Sequence, residues 1–250
     1  MTAKRALPFA SAEIRLILLD IEGTTTPIDF VFKTLFPFAS ARVDDFFAHH
    51  AAEFETKALV AELRALWQLQ AAQDQTIPAW DHATHEAALA SAARFAKWLI
   101  ARDSKATALK TLQGKIWEQG FRSGELRGEV YPDVAPAFAR WREQQRSVAI
   151  FSSGSVLAQK LLFAHSTSGD LSPYIAAYFD TTTGPKREPG SYATIMAILR
   201  LAPRQSLFVS DVPQELDAAR TAGLATAHSL RPGVAAAQDY FSVTSFDELF

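Results

Sequence analysis

Apolar and polar positions alternate along this chain in two distinct rhythms. Near the start, Ile14-Arg15-Leu16-Ile17-Leu18-Leu19 is an almost unbroken apolar run, which predicts a buried strand. From about residue 30 to 125 the rhythm is helical. Leu59, Leu63 and Leu66 fall on one helical face. So do Leu89, Ala92, Ala96 and Leu99, flanked by Phe95 and Trp98, and Leu109, Leu112 and Ile116 continue the pattern. The turn-like stretch Gln75-Thr76-Ile77-Pro78 separates two of these helices. From Gly128 the chain changes to strands alternating with helices. Residues 147–151 read as a second buried strand and 156–164 as a helix. Residues 174–179 lead into a short strand and 192–201 form a helix. Residues 206–209 read as a further strand, and 214–221 as a helix closed by Gly223.

Such alternation predicts an α/β fold with a doubly wound, Rossmann-like parallel sheet. Glycine usage marks the division: none follows Gly23 until Gly114, and ten of the 11 lie from Gly114 to Gly233. The expectation is therefore a core formed by residues 1–29 and 126–250, with residues 30–125 inserted as a helical bundle after the first strand.

With 250 residues, 48% of them hydrophobic, the chain suits a soluble globular protein with a sizeable core. A formal charge of -2 argues against nucleic acid or an anionic membrane as the main partner. The absence of cysteine excludes disulfides, thiolate metal sites and a cysteine nucleophile. It also fits a reducing cytosol, so a cytoplasmic location is expected. Residues 1–12 carry too broken an apolar stretch for a secretory signal, and no run is long enough to span a bilayer.

The candidate chemistry lies where apolar runs end. The first run stops at Asp20-Ile21-Glu22-Gly23-Thr24. In an open α/β sheet, ligands bind beyond the carboxyl ends of the strands. Side chains at i and i+2 share a side in extended chain, so Asp20 and Glu22 could face one phosphate. One acid would attack phosphorus while the other moves protons. The plainer reading is a strand-end acid followed by Gly-Thr-Thr-Thr as turn and helix-capping material. The second run ends at Ser152-Ser153-Gly154-Ser155 before a helix: an anion site of hydroxyls and free N–H groups, or simple N-capping. Lys186, in a polar loop after the third strand, is either a solvated cation or a phosphate-holding point charge. Asp211 follows the fourth run as Asp20 follows the first. Asp20 and Asp211, with a backbone carbonyl near Glu22, would supply hard oxygens for Mg²⁺. Glu215 is a supporting partner of that site or a helix-start acid. The order carboxylate pair, hydroxyl, lysine, carboxylate on successive strand ends is what makes the set informative.

That order resembles the haloacid dehalogenase superfamily of phosphatases and phosphotransferases across nearly the whole chain. The resemblance implies that Asp20 is phosphorylated and Glu22 is the general acid/base. It further implies that Ser152 and Ser153 bind phosphate, Lys186 stabilises charge, and Asp20, Glu22 and Asp211 hold one Mg²⁺. The insertion after Gly23 matches the position of a helical cap that closes over substrate and excludes water. A closer resemblance rests on residues 20–28 with Phe30-Val31, Leu35-Phe36-Pro37 and Ser152 to Phe163, with Glu22 where most relatives carry aspartate. It is to the acireductone synthase family, the enolase-phosphatases of methionine salvage. This implies a phosphorylated diketone, 2,3-diketo-5-methylthiopentyl-1-phosphate, as substrate, and a monomer. Glu188-Pro189-Gly190-Ser191-Tyr192 departs from that pattern and predicts a differently shaped loop after Lys186.

His82 and His85 are three apart without an evident third ligand and, like His49 and His50, read as surface residues. Phe30, Phe32, Phe36 and Phe38 read mostly as packing, with one or two left to line an apolar substrate end. Two rivals remain: a phosphatase of the same superfamily with another small phosphoester, and a non-catalytic interaction protein docking through the helical insertion.

Overall fold

A computed structural model describes residues 9–237 and 239–250. It falls into two compact units: one takes the chain up to Phe30 and again from Arg127 to Phe250, the other is Val31–Leu126. In chain order the first unit carries β1 (Leu16–Leu19), α1 (Ile28–Phe30), and, after the second unit, α6 (Val134–Glu143), β2 (Ser147–Phe151) and α7 (Val156–Ala164). It continues with β3 (Ile175–Phe179), α8 (Pro189–Leu199), β4 (Ser206–Ser210), α9 (Pro213–Thr221), β5 (Ala225–Ser229) and β6 (Ser242–Val243). The second unit opens on a π-helical turn, Val31–Leu35, followed by α2 (Phe36–His50), α3 (Phe54–Ala71), α4 (His85–Ile100) and α5 (Thr107–Ser123).

The six strands pair in the order β3-β2-β1-β4-β5-β6, every pair parallel. This is the α/β doubly wound sheet the alternation predicts. All four residues of β1 are buried, as a strand covered by helices on both faces requires. Each buried aliphatic side chain of this kind stabilises the fold by roughly 1.5–3 kcal/mol. One face packs Leu16 and Leu18 with Phe151, Tyr192, Met196, Phe208 and Leu216. The register aligns Leu19 with Ile150 on one side and Val209 on the other, so the residues following β1, β2 and β4 emerge together. The chain leaves β1 towards β2 and β3, then returns to β4 on β1's other side. Between β1 and β4 lies the switch point where such sheets open a ligand crevice.

Most elements fall within a residue or so of the sequence reading, and one helix and two strands depart from it. The helix after Lys186 runs Pro189–Leu199 rather than 192–201. Proline at its first position is well tolerated because the N–H it lacks has no helical partner there. Arg200 in a left-handed conformation ends it. Glu188 is therefore the N-cap and Pro189-Gly190 the helix start, three residues before the expected one. β5 and β6 were not evident: Ala225-Thr226-Ala227 has no strong strand pattern, and β6 has two residues. The helical unit buries most of the faces the periodicity marks, Leu59 and Leu63 on α3, Ala92, Ala96 and Leu99 on α4, and Leu109, Leu112 and Ile116 on α5, while Leu66 and Leu89 are half-buried. Among the described residues no helix is long and apolar enough to cross a membrane.

Candidate active site

The turn after β1 is built on one carbonyl. The N–H groups of Thr24, Thr25 and Thr26 all point at Ile21 O, at 3.1, 2.9 and 2.9 Å, and Gly23 N donates to Thr26 O at 2.9 Å. Gly-Thr-Thr-Thr is thus a buried turn, not a helix cap. Gly23 has φ 69°, and a Cβ added there would lie 2.2 Å from Asp211 Oδ2. Only glycine allows both this backbone and so close an approach of Asp211. The turn is braced from β5 and beyond: Ser229 Oγ donates to Gly23 O at 3.2 Å and Arg231 Nε to Thr24 O at 3.0 Å. Arg231 is itself paired with Asp133 at 2.9 Å.

Lys186 reaches the same place from the loop after β3. Tyr192 OH donates to Lys186 O at 2.7 Å and Ser191 Oγ to Pro185 O at 2.7 Å, pinning the loop onto the start of α8. The ammonium lies 2.6 Å from Asp20 Oδ1 and 2.7 Å from Glu215 Oε2. Ser210 Oγ is 3.0 Å from Asp20 Oδ2 and 3.1 Å from Glu215 Oε2, closing a ring. The Ile21 N–H also meets Asp20 Oδ1, at 2.8 Å. Asp20, Lys186 and Glu215 are only 3%, 7% and 8% exposed. Glu215, expected as a helix-start acid or supporting partner, sits in the first turn of α9 and bonds Lys186 directly.

Burial sets the electrostatics. Burial alone would lower the Lys186 pKa, but the charges and hydrogen bonds of Asp20 and Glu215 outweigh it and hold the ammonium above the usual lysine range. Burial, then the charge of Asp20, pushes the Glu215 carboxyl up to about 7 despite Lys186. Asp211 rises to about 7 for the same two reasons in the same order. Tyr192 is raised by burial and by Glu215 and Asp20, so it remains a neutral donor.

On the β2 side, Ser155 caps α7, its Oγ accepting the Ala158 N–H at 3.3 Å. N-capping therefore accounts for Ser155 and not for Ser152. Ser152 is buried; its Oγ donates to Glu22 Oε2 at 3.3 Å and accepts the Gly154 N–H at 3.1 Å. Ser153 lies half-buried in the intervening turn. Gln159 Nε2 ties that turn to β3 through Gly154 O and Phe179 O, both at 2.8 Å.

Asp20, Glu22, Ser152, Ser153, Lys186, Asp211 and Glu215 thus all belong to the strand ends of one unit. Two carboxylates, Asp20 and Asp211, are brought together across the switch point with Gly23 clearing the space. Their surplus negative charge and hard oxygens suit a small divalent cation. Among the described residues no group of three or more His, Cys, Asp or Glu gathers for a metal. The Glu22 side chain is turned to Ser152. His82 and His85 are exposed. Phe30 is buried, while Phe32 and Phe36 line a cleft of about 310 Å³ in the helical unit with Pro37, Ser40 and Ile100. Sequence reasoning missed Ser210, Tyr192, His228 and Arg231. Ser210 adjoins Asp211, and that adjacency is the one signal that could have raised it. His228 Nε2, 3.1 Å from Asp211 O, is placed only by tertiary structure.

A model of the haloacid dehalogenase-like hydrolases matches residues 14–223, so the chain belongs to that family. Within it, proteins called enolase-phosphatase E1 are similar over most of the chain. That of Synechococcus elongatus is 54% identical, covering 94% of this chain and 98% of its own. That of Pseudomonas aeruginosa is 44% identical, covering 88% and 91%. Among solved structures, the UTR4 protein of Saccharomyces cerevisiae superposes with a TM-score of 0.73 at 35% identity, covering 94% of this chain and all of that one (100%).

Proposed function

We propose that this chain is a Mg²⁺-dependent enolase-phosphatase of methionine salvage. It converts 2,3-diketo-5-methylthiopentyl-1-phosphate to the acireductone 1,2-dihydroxy-3-keto-5-methylthiopentene and phosphate. The similarity to enolase-phosphatase E1 proteins supports the substrate. The observation that carries the chemistry is the buried Lys186 joined to both Asp20 and Glu215 at the carboxyl edge of the sheet.

In this reading Ser152 and Ser153, with the N–H groups opening α7, hold the phosphate. Glu22, bonded by Ser152 beside that site, takes the proton leaving carbon 1, and the electron pair moves onto the neighbouring carbonyl oxygen. An Asp20 carboxylate oxygen then attacks phosphorus while the bond from phosphorus to the carbon 1 oxygen breaks. Glu22 returns its proton to that leaving oxygen. Water next attacks the phosphorus of phospho-Asp20, Glu22 taking its proton as the bond from phosphorus to Asp20 breaks; phosphate departs, and Glu22 passes that proton to the enolate oxygen, giving the neutral acireductone and restoring both carboxylates. Lys186 orients Asp20 and offsets phosphoryl charge as a fixed point cation. The Asp20 and Asp211 carboxylates and the main-chain carbonyl of Glu22 would hold Mg²⁺, which would supply positive charge to offset the phosphoryl and carbonyl oxygens. The helical unit serves as the cap, and the protein acts as a cytoplasmic monomer on a diffusible metabolite.

The test is incubation with the diketo phosphate and Mg²⁺, following enol absorbance and phosphate together. Both signals should rise, and phosphate release should vanish in Asp20→Asn. Phosphate release without any enol product identifies a phosphatase of the same family acting on another phosphoester.

A further inference from the structure

Ser210 ends β4 with no exposed surface, between the two acids that grip Lys186. Its Oγ accepts the Val212 N–H at 3.1 Å and reaches Asp20 Oδ2 at 3.0 Å and Glu215 Oε2 at 3.1 Å. A hydroxyl carries one proton, so it can serve one of these carboxylates at a time. The two oxygens of Asp20 are held differently. Oδ1 meets the Lys186 ammonium and the Ile21 N–H, whereas Oδ2 meets Ser210.

Resting on the reading of Asp20 as nucleophile, we propose that Ser210 is a positioning residue for phosphoryl transfer. Its proton points to Asp20 while that carboxylate is free, and turns to Glu215 once an Asp20 oxygen is bonded to phosphorus. Hydrogen bonds to an ionised acceptor are roughly twice as strong as those between neutral groups. Forming the acyl phosphate removes the carboxylate charge from Asp20, so the better acceptor becomes Glu215. The exchange is a rotation about the Cβ–Oγ bond and displaces no heavy atom. No proton is transferred and no bond is broken in it. Before attack, Ser210 and Lys186 hold Asp20 by opposite oxygens and fix the carboxylate plane. After attack, Ser210 and Lys186 still hold Glu215, so the ring keeps its shape through the cycle. Without the hydroxyl, Asp20 pivots about Oδ1 and spends less time aligned with phosphorus.

The comparison is of Ser210→Ala and Ser210→Cys, which lack a good donor, with Ser210→Thr, which keeps one. The readout is rapid-quench measurement of phospho-Asp20 formation from the diketo phosphate with Mg²⁺. Formation should slow about ten- to a hundredfold in the Ala and Cys variants, the loss expected for a hydrogen bond to a charged group. KM should stay within about threefold, and the Thr variant should recover most of the rate. Thermal melting of each variant separates unfolding from mispositioning, and the near-isosteric Cys variant carries the test if either of the others does not fold. Wild-type rates in the Ala or Cys variant overturn the proposal, as does a folded Thr variant as slow as Ala. Asp20→Asn distinguishes the two levels. If it still releases phosphate, the nucleophile assignment fails and the role of Ser210 with it. If it is inactive while Ser210→Cys is fully active, only the role of Ser210 fails.

Discussion

The two units of this chain use charge in opposite ways. In the helical unit, Arg42–Glu125, Lys97–Asp44 and Lys115–Glu55 are pairs at the surface, with Lys97 and Asp44, for example, 35% and 63% exposed. In the α/β unit, Lys186 pairs with Asp20 and Glu215 where the three side chains are 6%, 4% and 10% exposed. Exposed pairs are screened by water and salt and contribute about 0–1 kcal/mol each. A buried cluster loses hydration that pairing only partly offsets. Here one ammonium is set against two acids, with Asp211 close by as a third. The strand ends therefore keep a negative excess that the fold alone does not neutralise. Apolar faces hold the helical unit together; the site unit spends part of its stability on groups arranged for a ligand.

The widest gap between the two regions should come from removing one cation in each. Lys186→Met strands two buried carboxylates, and should cost about 3–5 kcal/mol in urea unfolding as well as abolish phosphate release. A loss no larger than that of a surface pair would erase the contrast. An intermediate effect is expected from pH. Asp211 and Glu215 have carboxyls raised from 3.8 and 4.5 to about 7 on folding. A group raised in this way favours the folded state while protonated. Its contribution is full below the unfolded value and is lost as pH rises through about 7. The metal-free protein should therefore lose melting temperature between pH 5 and pH 8, and Mg²⁺ should raise it more at pH 8 than at pH 5. A Mg²⁺ effect independent of pH would remove Asp211 from the cation site. Smallest is Lys97→Met in the helical unit, which should change stability by less than about 1 kcal/mol. A larger loss would mean that exposed pairs carry the helical unit after all.

Much of the fold was legible because local signals agreed. The run Val148-Ala149-Ile150-Phe151 stops at Ser152-Ser153-Gly154, and β2 and α7 fall where strand, break and apolar helix follow one another. β5 was hidden because Thr226 and His228 give it no apolar continuity, and it is a strand only because β4 and β6 flank it. At the site, Asp20, Ser152 and Asp211 were visible as polar residues ending apolar runs. Which residues they would meet was not. Ser210 meets Asp20 across 190 positions of sequence and Ser152 meets Glu22 across 130. Arg231 braces Thr24 across 207. Contacts of that span are made by strand order, which no local pattern encodes. Pro189 misled for a related reason: it breaks a helix interior but suits a first turn, and only the folded chain, with Pro189 opening α8, shows which applies.

Trapping the protein with beryllofluoride and Mg²⁺, followed by structure determination, puts the centre of this account to the test. Beryllium should be bonded to a carboxylate oxygen of Asp20, with the fluorines facing Ser152 and Lys186. Beryllium bonded to Glu22, Ser152 or any other side chain would contradict it.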